Sequence, residues 1–272
     1  MTAHSPHSDL LDGVIAVARL AGRQILEVYG TDFQVQGKAD ASPLTEADLR
    51  AHRVIVDGLS ALNPRLPVLS EESDPAELRA RRGWSRYWLV DPLDGTKEFV
   101  SRNGEFTVNI ALIEANRPVM GVVHIPVADI TYAGIPGSGA WREANERARL
   151  RIGVRRIAAS PLRVLGSRSH VDPRLDARLQ ALGPHELRPV GSSIKLCVVA
   201  EGNADLYPRL GPTSEWDIAA GQAVLEGAGG QVVDAQSGLP LRYNDKPGLT
   251  NPDFLAYGDP QCFRRWQQAV PD

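Results

Sequence analysis

Cysteine is scarce in this chain of 272 residues: Cys197 and Cys262 are the only two, and neither belongs to a C-x-x-C pair. That excludes a disulfide-stapled scaffold and offers no zinc-binding pattern, so reduced thiols and a cytoplasmic setting are expected. A surplus of positive charge is missing as well. The 30 Lys and Arg face 33 Asp and Glu, a formal net charge of −3, whereas a dedicated nucleic-acid binder carries a basic excess. No apolar run approaches the roughly 20 residues of a membrane-spanning helix. The longest charge-free one, residues 119–127, is broken by His124 and Pro126. The start of the chain carries His4 and His7 but no basic cluster, and Asp12 cuts the apolar stretch behind it. No secretory leader is expected. Internal repeats and low-complexity tracts are absent.

What is present is ordinary globular material, 43 % hydrophobic and 23 % charged. A chain of this length buries roughly 75 % of its unfolded surface, enough for one large domain or two lobes. Apolar residues at helical spacing predict a helix over 10–29, stopped by Gly30. Thr45-Glu46-Ala47-Asp48 reads as a capping box opening a second helix that Pro64 ends. Strands are expected at 67–70, 87–90, 106–113 and 119–125, the last two as a hairpin. The arginine-rich stretch 141–156 lacks an aromatic platform between its arginines, so a solvated hairpin and interdomain link is expected there. Beyond it, a strand at 163–166, helices at 173–182, 193–201 and 217–227, and a strand at 231–233 alternate. The pattern predicts an N-terminal α+β lobe, residues 1–156, and a C-terminal α/β lobe, residues 157–272.

Carboxylates recur where strands end or helices begin. Glu71 follows the strand ending at Ser70, Asp91-Pro92-Leu93-Asp94-Gly95-Thr96 follows the strand ending at Val90, and Asp217 stands at a helix start. Hard oxygen donors of this kind suit Mg²⁺, and no His/Cys cluster competes for the role. Pro92 is expected to bend the chain after its strand and aim Asp91, the Leu93 carbonyl and Asp94 at one point. Gly95 then permits a tight backbone, and Thr96 opens a helix whose N–H groups suit a phosphate. Helix capping explains any one of these carboxylates taken alone; it does not explain the set.

Leu69-Ser70-Glu71-Glu72, Trp88 through Thr96 and Trp216-Asp217-Ile218-Ala219-Ala220-Gly221 resemble the inositol monophosphatase-like superfamily of metal-dependent, lithium-sensitive phosphatases. Thr96-Lys97-Glu98-Phe99, residues 103–112, Gly191-Ser192-Ser193-Ile194-Lys195, Tyr207-Pro208-Arg209 and Gly211-Pro212-Thr213 are similar to its CysQ-type 3'(2'),5'-bisphosphate nucleotidases. The likeness runs from about Leu10 to Tyr257, with no departure at the metal positions. It implies a layered α/β/α/β/α sandwich that hydrolyses the 3'-phosphate of adenosine 3',5'-bisphosphate to AMP and phosphate. The sulfated relative, 3'-phosphoadenylyl sulfate, is the usual second substrate, which places the activity in sulfur metabolism.

By the same resemblance, Glu71, Asp91 and the Leu93 carbonyl hold one Mg²⁺, and Asp91, Asp94 and Asp217 hold a second. A third, weaker ion occurs in some members. Gly95 and Thr96 face the scissile phosphate, and Asp48 with Thr96 polarises the attacking water. Ser192, Lys195 and Arg209 match positions that contact the nucleotide and its other phosphate, and Ser167 and His170 match positions near ribose and base. The expected partner is a small nucleotide, with no nucleic acid and no integral membrane contact. A homodimer, and peripheral attachment to the cytoplasmic face of the inner membrane, stay open. The rival reading is an inositol monophosphatase or broad sugar-phosphate phosphatase, from which the cationic pair Lys195 and Arg209 would set this chain apart. A non-catalytic regulator on the same scaffold is disfavoured by the intact carboxylate set, and RNA 3'-end processing by the missing basic groove.

Overall fold

The computed structural model describes residues 7–31, 35–37, 43–145, 147–169 and 172–269. Val14, Ala18, Ala21, Ile25 and Val28, three and four residues apart, form the buried face of helix α1 (Ser8–Tyr29). Strands β1 (Val35–Gly37) and β2 (Pro43–Thr45) pair antiparallel. Helix α2 (Glu46–Ser60) follows at once and buries Ala47, Ala51, Ile55 and Leu59 beside α1. The expected Thr45 capping box falls on a side chain outside the described ones.

Strand β3 (Val68–Ser70), helix α3 (Pro75–Ala80), strand β4 (Arg86–Asp94) and helix α4 (Thr96–Val100) come next. They are followed by strands β5 (Thr107–Glu114), β6 (Arg117–Ile125), β7 (Ile130–Ile135), β8 (Gly139–Ala144) and β9 (Leu150–Ile152). The seven strands β3 to β9 form one sheet in chain order, with β3 and β4 parallel and every other pair antiparallel. The expected β5–β6 hairpin is present. Its two-residue turn, Ala115-Asn116, takes φ of +48° and +66°, the left-handed backbone that a short hairpin needs. One expectation is corrected: β4 does not stop at Val90. It runs on to Asp94, and its register against β5 shifts between Asp91 and Asp94. Pro92 therefore occupies a bulge inside the strand, one of the few places where a sheet tolerates a residue without an N–H.

The second half contributes β10 (Leu162–Ser167), α5 (Pro173–Leu182), β11 (His185–Val190), α6 (Ile194–Ala200) and β12 (Leu206–Arg209). It ends with α7 (Glu215–Gly227), β13 (Gln231–Asp234), β14 (Phe254–Tyr257) and α8 (Pro260–Gln268). Its five strands are ordered β11-β10-β12-β14-β13, with β10 parallel to both neighbours and β14 antiparallel to both of its own. The layers are α1 and α2, the seven-stranded sheet, α6 and α7, the five-stranded sheet, then α5 and α8: an α/β/α/β/α sandwich. Between the sheets, α7 lies almost against the backbone of the larger one. A Cβ on Gly121 would stand 2.3 Å from the Ala220 carbonyl oxygen, so only glycine admits this approach.

The arginine-rich segment includes a hairpin at the edge of the larger sheet, and three of its arginines pair with carboxylates elsewhere in the chain. Arg142 pairs with Glu201 at 3.0 Å, Arg149 with Asp12 at 2.6 Å and Arg155 with Asp205 at 3.5 Å. Among the described residues, no helix is long and apolar enough to cross a membrane.

Candidate active site

The ends of β3, β4, β10 and β12, the first turns of α4 and α7 and the turn before α6 enclose a cavity of about 310 Å³. Glu71, Asp91, Leu93, Asp94, Gly95, Thr96, Ser167, Ser192, Lys195, Arg209 and Asp217 all line it. Asp48, in the first turn of α2, is buried and stands off the cavity wall, yet its charge reaches Asp91. His170 lies outside the described residues.

Local geometry explains how three donors come from one strand. The bulge folds Asp91 back so that its Oδ1 accepts the Leu93 N–H at 3.0 Å. The Glu71 N–H donates to the Val90 carbonyl at 3.1 Å, prolonging the β3–β4 ladder and holding Glu71 beside the bulge. Gly95 takes φ +92°, and a Cβ there would meet the Glu105 carbonyl, Glu98 and Ser192 at 3.2 to 3.3 Å. Thr96 follows as the first residue of α4, its hydroxyl 3.5 Å from the Leu93 carbonyl. Asp94 is held at one oxygen. Its Oδ2 accepts the Ser193 N–H at 2.6 Å, Asn109 Nδ2 at 3.4 Å and the Thr107 hydroxyl at 3.5 Å, which leaves Oδ1 for a cation. Asp217 is the third residue of α7, where its Oδ2 accepts the Ser214 N–H at 2.9 Å.

Thr107, Asn109 and Ser193 lie within the motifs quoted above, but no role at the site was assigned to them from the sequence. A signal existed: Thr107 and Asn109 alternate with Phe106, Val108 and Ile110, putting two polar side chains on one face of a buried strand.

The carboxylates repel one another in a largely sheltered cavity, Asp91 buried and Glu71, Asp94 and Asp217 half-buried. Burial pushes Asp91 far above the usual carboxylate range, and the charges of Glu71, Asp94, Asp217 and Asp48 push it further. Asp94 is pushed up to about 6, chiefly by burial, against the opposing pull of Lys195 and the Ser193 bond. Asp217 is raised by burial and then by Asp94. Crowded acids with too little positive charge nearby suit a bound cation. Their donor set, carboxylates and one carbonyl, fits Mg²⁺. Among the described residues no three His, Cys, Asp or Glu side chains form a ready-made metal cage.

Lys97, Lys195 and Arg209 bring positive charge to the cavity. Lys195 is buried, which brings its ammonium down to about 8. It donates to the carbonyls of Ser192 at 2.6 Å and Val190 at 3.1 Å, and lies 5.3 Å from the centre of the Tyr207 ring. Arg209 Nη2 donates to the Pro212 carbonyl at 3.0 Å, while its buried Nε has no protein partner.

The layered fold and its carboxylate-lined cavity define a class of metal-dependent phosphatases. The chain matches the inositol monophosphatase family over residues 7–259 and belongs to that family. It is 52 % identical over 247 residues to a 3'(2'),5'-bisphosphate nucleotidase CysQ of Escherichia coli K12, covering 90 % of this chain and 98 % of the relative. The corresponding CysQ of Buchnera aphidicola is 42 % identical over 250 residues, covering 91 % and 93 %. Among solved structures, CysQ of Bacteroides thetaiotaomicron superposes with a TM-score of 0.81 at 41 % identity, covering 93 % of this chain and 98 % of that one. An inositol monophosphatase of Thermotoga maritima gives 0.77 at 26 % identity, covering 96 % and 98 %.

Proposed function

We propose that this protein is a Mg²⁺-dependent 3'(2'),5'-bisphosphate nucleotidase that converts adenosine 3',5'-bisphosphate to AMP and phosphate, and acts on 3'-phosphoadenylyl sulfate as well. The observation that carries the choice of substrate is Arg209, whose buried, unpartnered Nε stands in the same cavity as the carboxylates. A substrate with a second phosphate can use that guanidinium, whereas an inositol monophosphate leaves it unpaired. The likeness to bisphosphate nucleotidases across nearly the whole chain supports the same reading. Localisation follows it: a cytoplasmic enzyme with a small-molecule partner.

Glu71, Asp91 and the Leu93 carbonyl would hold one Mg²⁺, and Asp91, Asp94 and Asp217 another. Bound there, the ions supply the positive charge that a dianionic phosphate ester and its departing 3'-oxygen require. The chain does the positioning. The left-handed turn at Gly95 brings the start of α4 against the scissile phosphate. Asp48, buried near Asp91, accepts the proton of the attacking water through the Thr96 hydroxyl. Lys195, with one proton not engaged by Val190 or Ser192, joins Arg209, Ser192 and Ser167 in orienting the nucleotide.

The test is phosphate release from adenosine 3',5'-bisphosphate, AMP, inositol 1-phosphate and fructose 1,6-bisphosphate, each with and without Mg²⁺. The expected result is a clear preference for the first, abolished by chelator. A preference for inositol 1-phosphate would overturn the reading in favour of the monophosphatase alternative.

A further inference from the structure

Between β11 and α6 the chain turns tightly through residues 191–193, and two amides of that turn are claimed by carboxylates of the other half of the chain. The Gly191 N–H donates to Glu105 Oε2 at 2.6 Å, and the Ser193 N–H donates to Asp94 Oδ2 at 2.6 Å. Arg168, just past β10, closes on the same Glu105 carboxylate with two bonds of 2.7 Å and reaches the Pro189 carbonyl at 3.1 Å. Gly191 is pressed so closely that a Cβ there would stand 2.8 Å from both Glu105 Cβ and the Glu105 carbonyl oxygen. Ser192, between the two anchored amides, takes φ +43°, a conformation that L residues adopt seldom and keep only when held.

Glu105 does not line the cavity, and the mechanism above makes no use of it. We propose that Glu105 is a positioning residue for Asp94. Its carboxylate fixes the first amide of the turn through a charge-assisted bond. With that end fixed and Ser192 held left-handed, the Ser193 N–H arrives at Asp94 Oδ2 and keeps Oδ1 toward the cavity. Arg168 braces Glu105 from β10, so the oxygen that faces the cation is set by an ion pair outside the site. Without Glu105 the Ser192 turn relaxes, and Asp94 loses the shortest of its three hydrogen bonds.

The inference rests on Asp94 being a Mg²⁺ ligand, and the experiment separates the two. Mg²⁺ binding to the metal-stripped full chain is measured by calorimetry for the wild type, Glu105→Ala, Glu105→Gln and Asp94→Asn, alongside melting curves in chelator. Loss of a group that orients a metal ligand costs about 10- to 100-fold in affinity. Glu105→Ala is expected to bind Mg²⁺ roughly ten-fold more weakly. Glu105→Gln, which keeps an acceptor for Gly191 but loses the ion pair, is expected between the two. Turnover of both should recover to within a few-fold at saturating Mg²⁺, because the reacting groups are intact. If both variants bind Mg²⁺ as the wild type does, whatever their melting temperatures, Glu105 is only a tie between the halves and the inference is overturned. Should Glu105→Ala fail to fold, Glu105→Gln decides alone. Unchanged Mg²⁺ affinity in Asp94→Asn would overturn the metal reading itself, and the inference with it.

Discussion

A Cβ on Gly134 would stand 2.4 Å from the Cα of Val224, so β7 and α7 meet backbone to backbone. The distance between the larger sheet and the helix that carries Asp217 is therefore fixed by main-chain contact, with no side chain between them to compress. Gly134→Ala should push α7 away at a cost of about 1–3 kcal/mol and loosen Mg²⁺ binding by displacing Asp217. Gly83→Ala, where a Cβ meets nothing within 4 Å, is the matched control. Equal melting temperatures for the two variants would show that the helix accommodates the methyl group.

Metal-free stability should depend on pH in a particular direction. Burial raises Asp94 from an ordinary 3.8 to about 6, so the folded state binds its proton more tightly than the unfolded one. The ionised form therefore lowers stability; the loss is fully present above about pH 6 and fades as pH falls toward 4. His124 opposes this, since burial takes it from 6.5 down to about 4 and acid then favours unfolding. The two are separated by comparing wild type with Asp94→Asn in chelator. The variant should melt higher at pH 7.5, and its advantage should shrink steadily to pH 4.5. A pH-independent gap would mean that Asp94 carries no buried, uncompensated charge.

At saturating Mg²⁺ the same Asp94→Asn change should remove turnover by about 10²-fold or more, as expected for loss of a central catalytic group. The amide nearly preserves shape, so circular dichroism should be unchanged. Activity above a tenth of wild type would count against the metal role.

Arg209→Ala addresses substrate choice. A hydrogen bond to a charged group is worth about 1.5–3 kcal/mol, so kcat/KM for adenosine 3',5'-bisphosphate should fall roughly ten- to a hundred-fold. A slow monophosphate such as inositol 1-phosphate, unable to use the guanidinium, should stay within a few-fold of its wild-type value. Equal losses on both substrates would assign Arg209 to the metal site or the fold.

Much of this was legible in the amino-acid order, and the exceptions have physical causes. The periodicity of α1 was readable because one face is buried along its whole length. Strand β11 was not: most of His185–Val190 is exposed, it lies at a sheet edge and it contains Pro189, so no apolar alternation marks it. Helix α3 was not read from the sequence either: six residues, none of them buried, leave no apolar periodicity, although Asp74 and Glu77 form a capping box at its start. The expectation that the strand stops at Val90 erred because a bulge, like a turn, accepts a residue without an N–H, and only strand pairing tells them apart. At the site, the carboxylates were evident from their places after strands. The engagement of Lys195 with two backbone carbonyls was not, because it depends on the 191–193 turn rather than on residue type.

The carboxylate cavity also sets an order on how the molecule can be completed. Asp48, Glu71, Asp91 and Asp94 come from the first half of the chain, whereas Lys195, Arg209 and Asp217 come from the second. A growing chain that has not yet made α6 holds an acidic pocket with neither its last carboxylate nor the cations Lys195 and Arg209. Of the two proposed ion sites, the one that needs Asp217 can close only once α7 is in place, as a fastener between distant stretches of chain, and in chelator the protein should keep its architecture while losing that link.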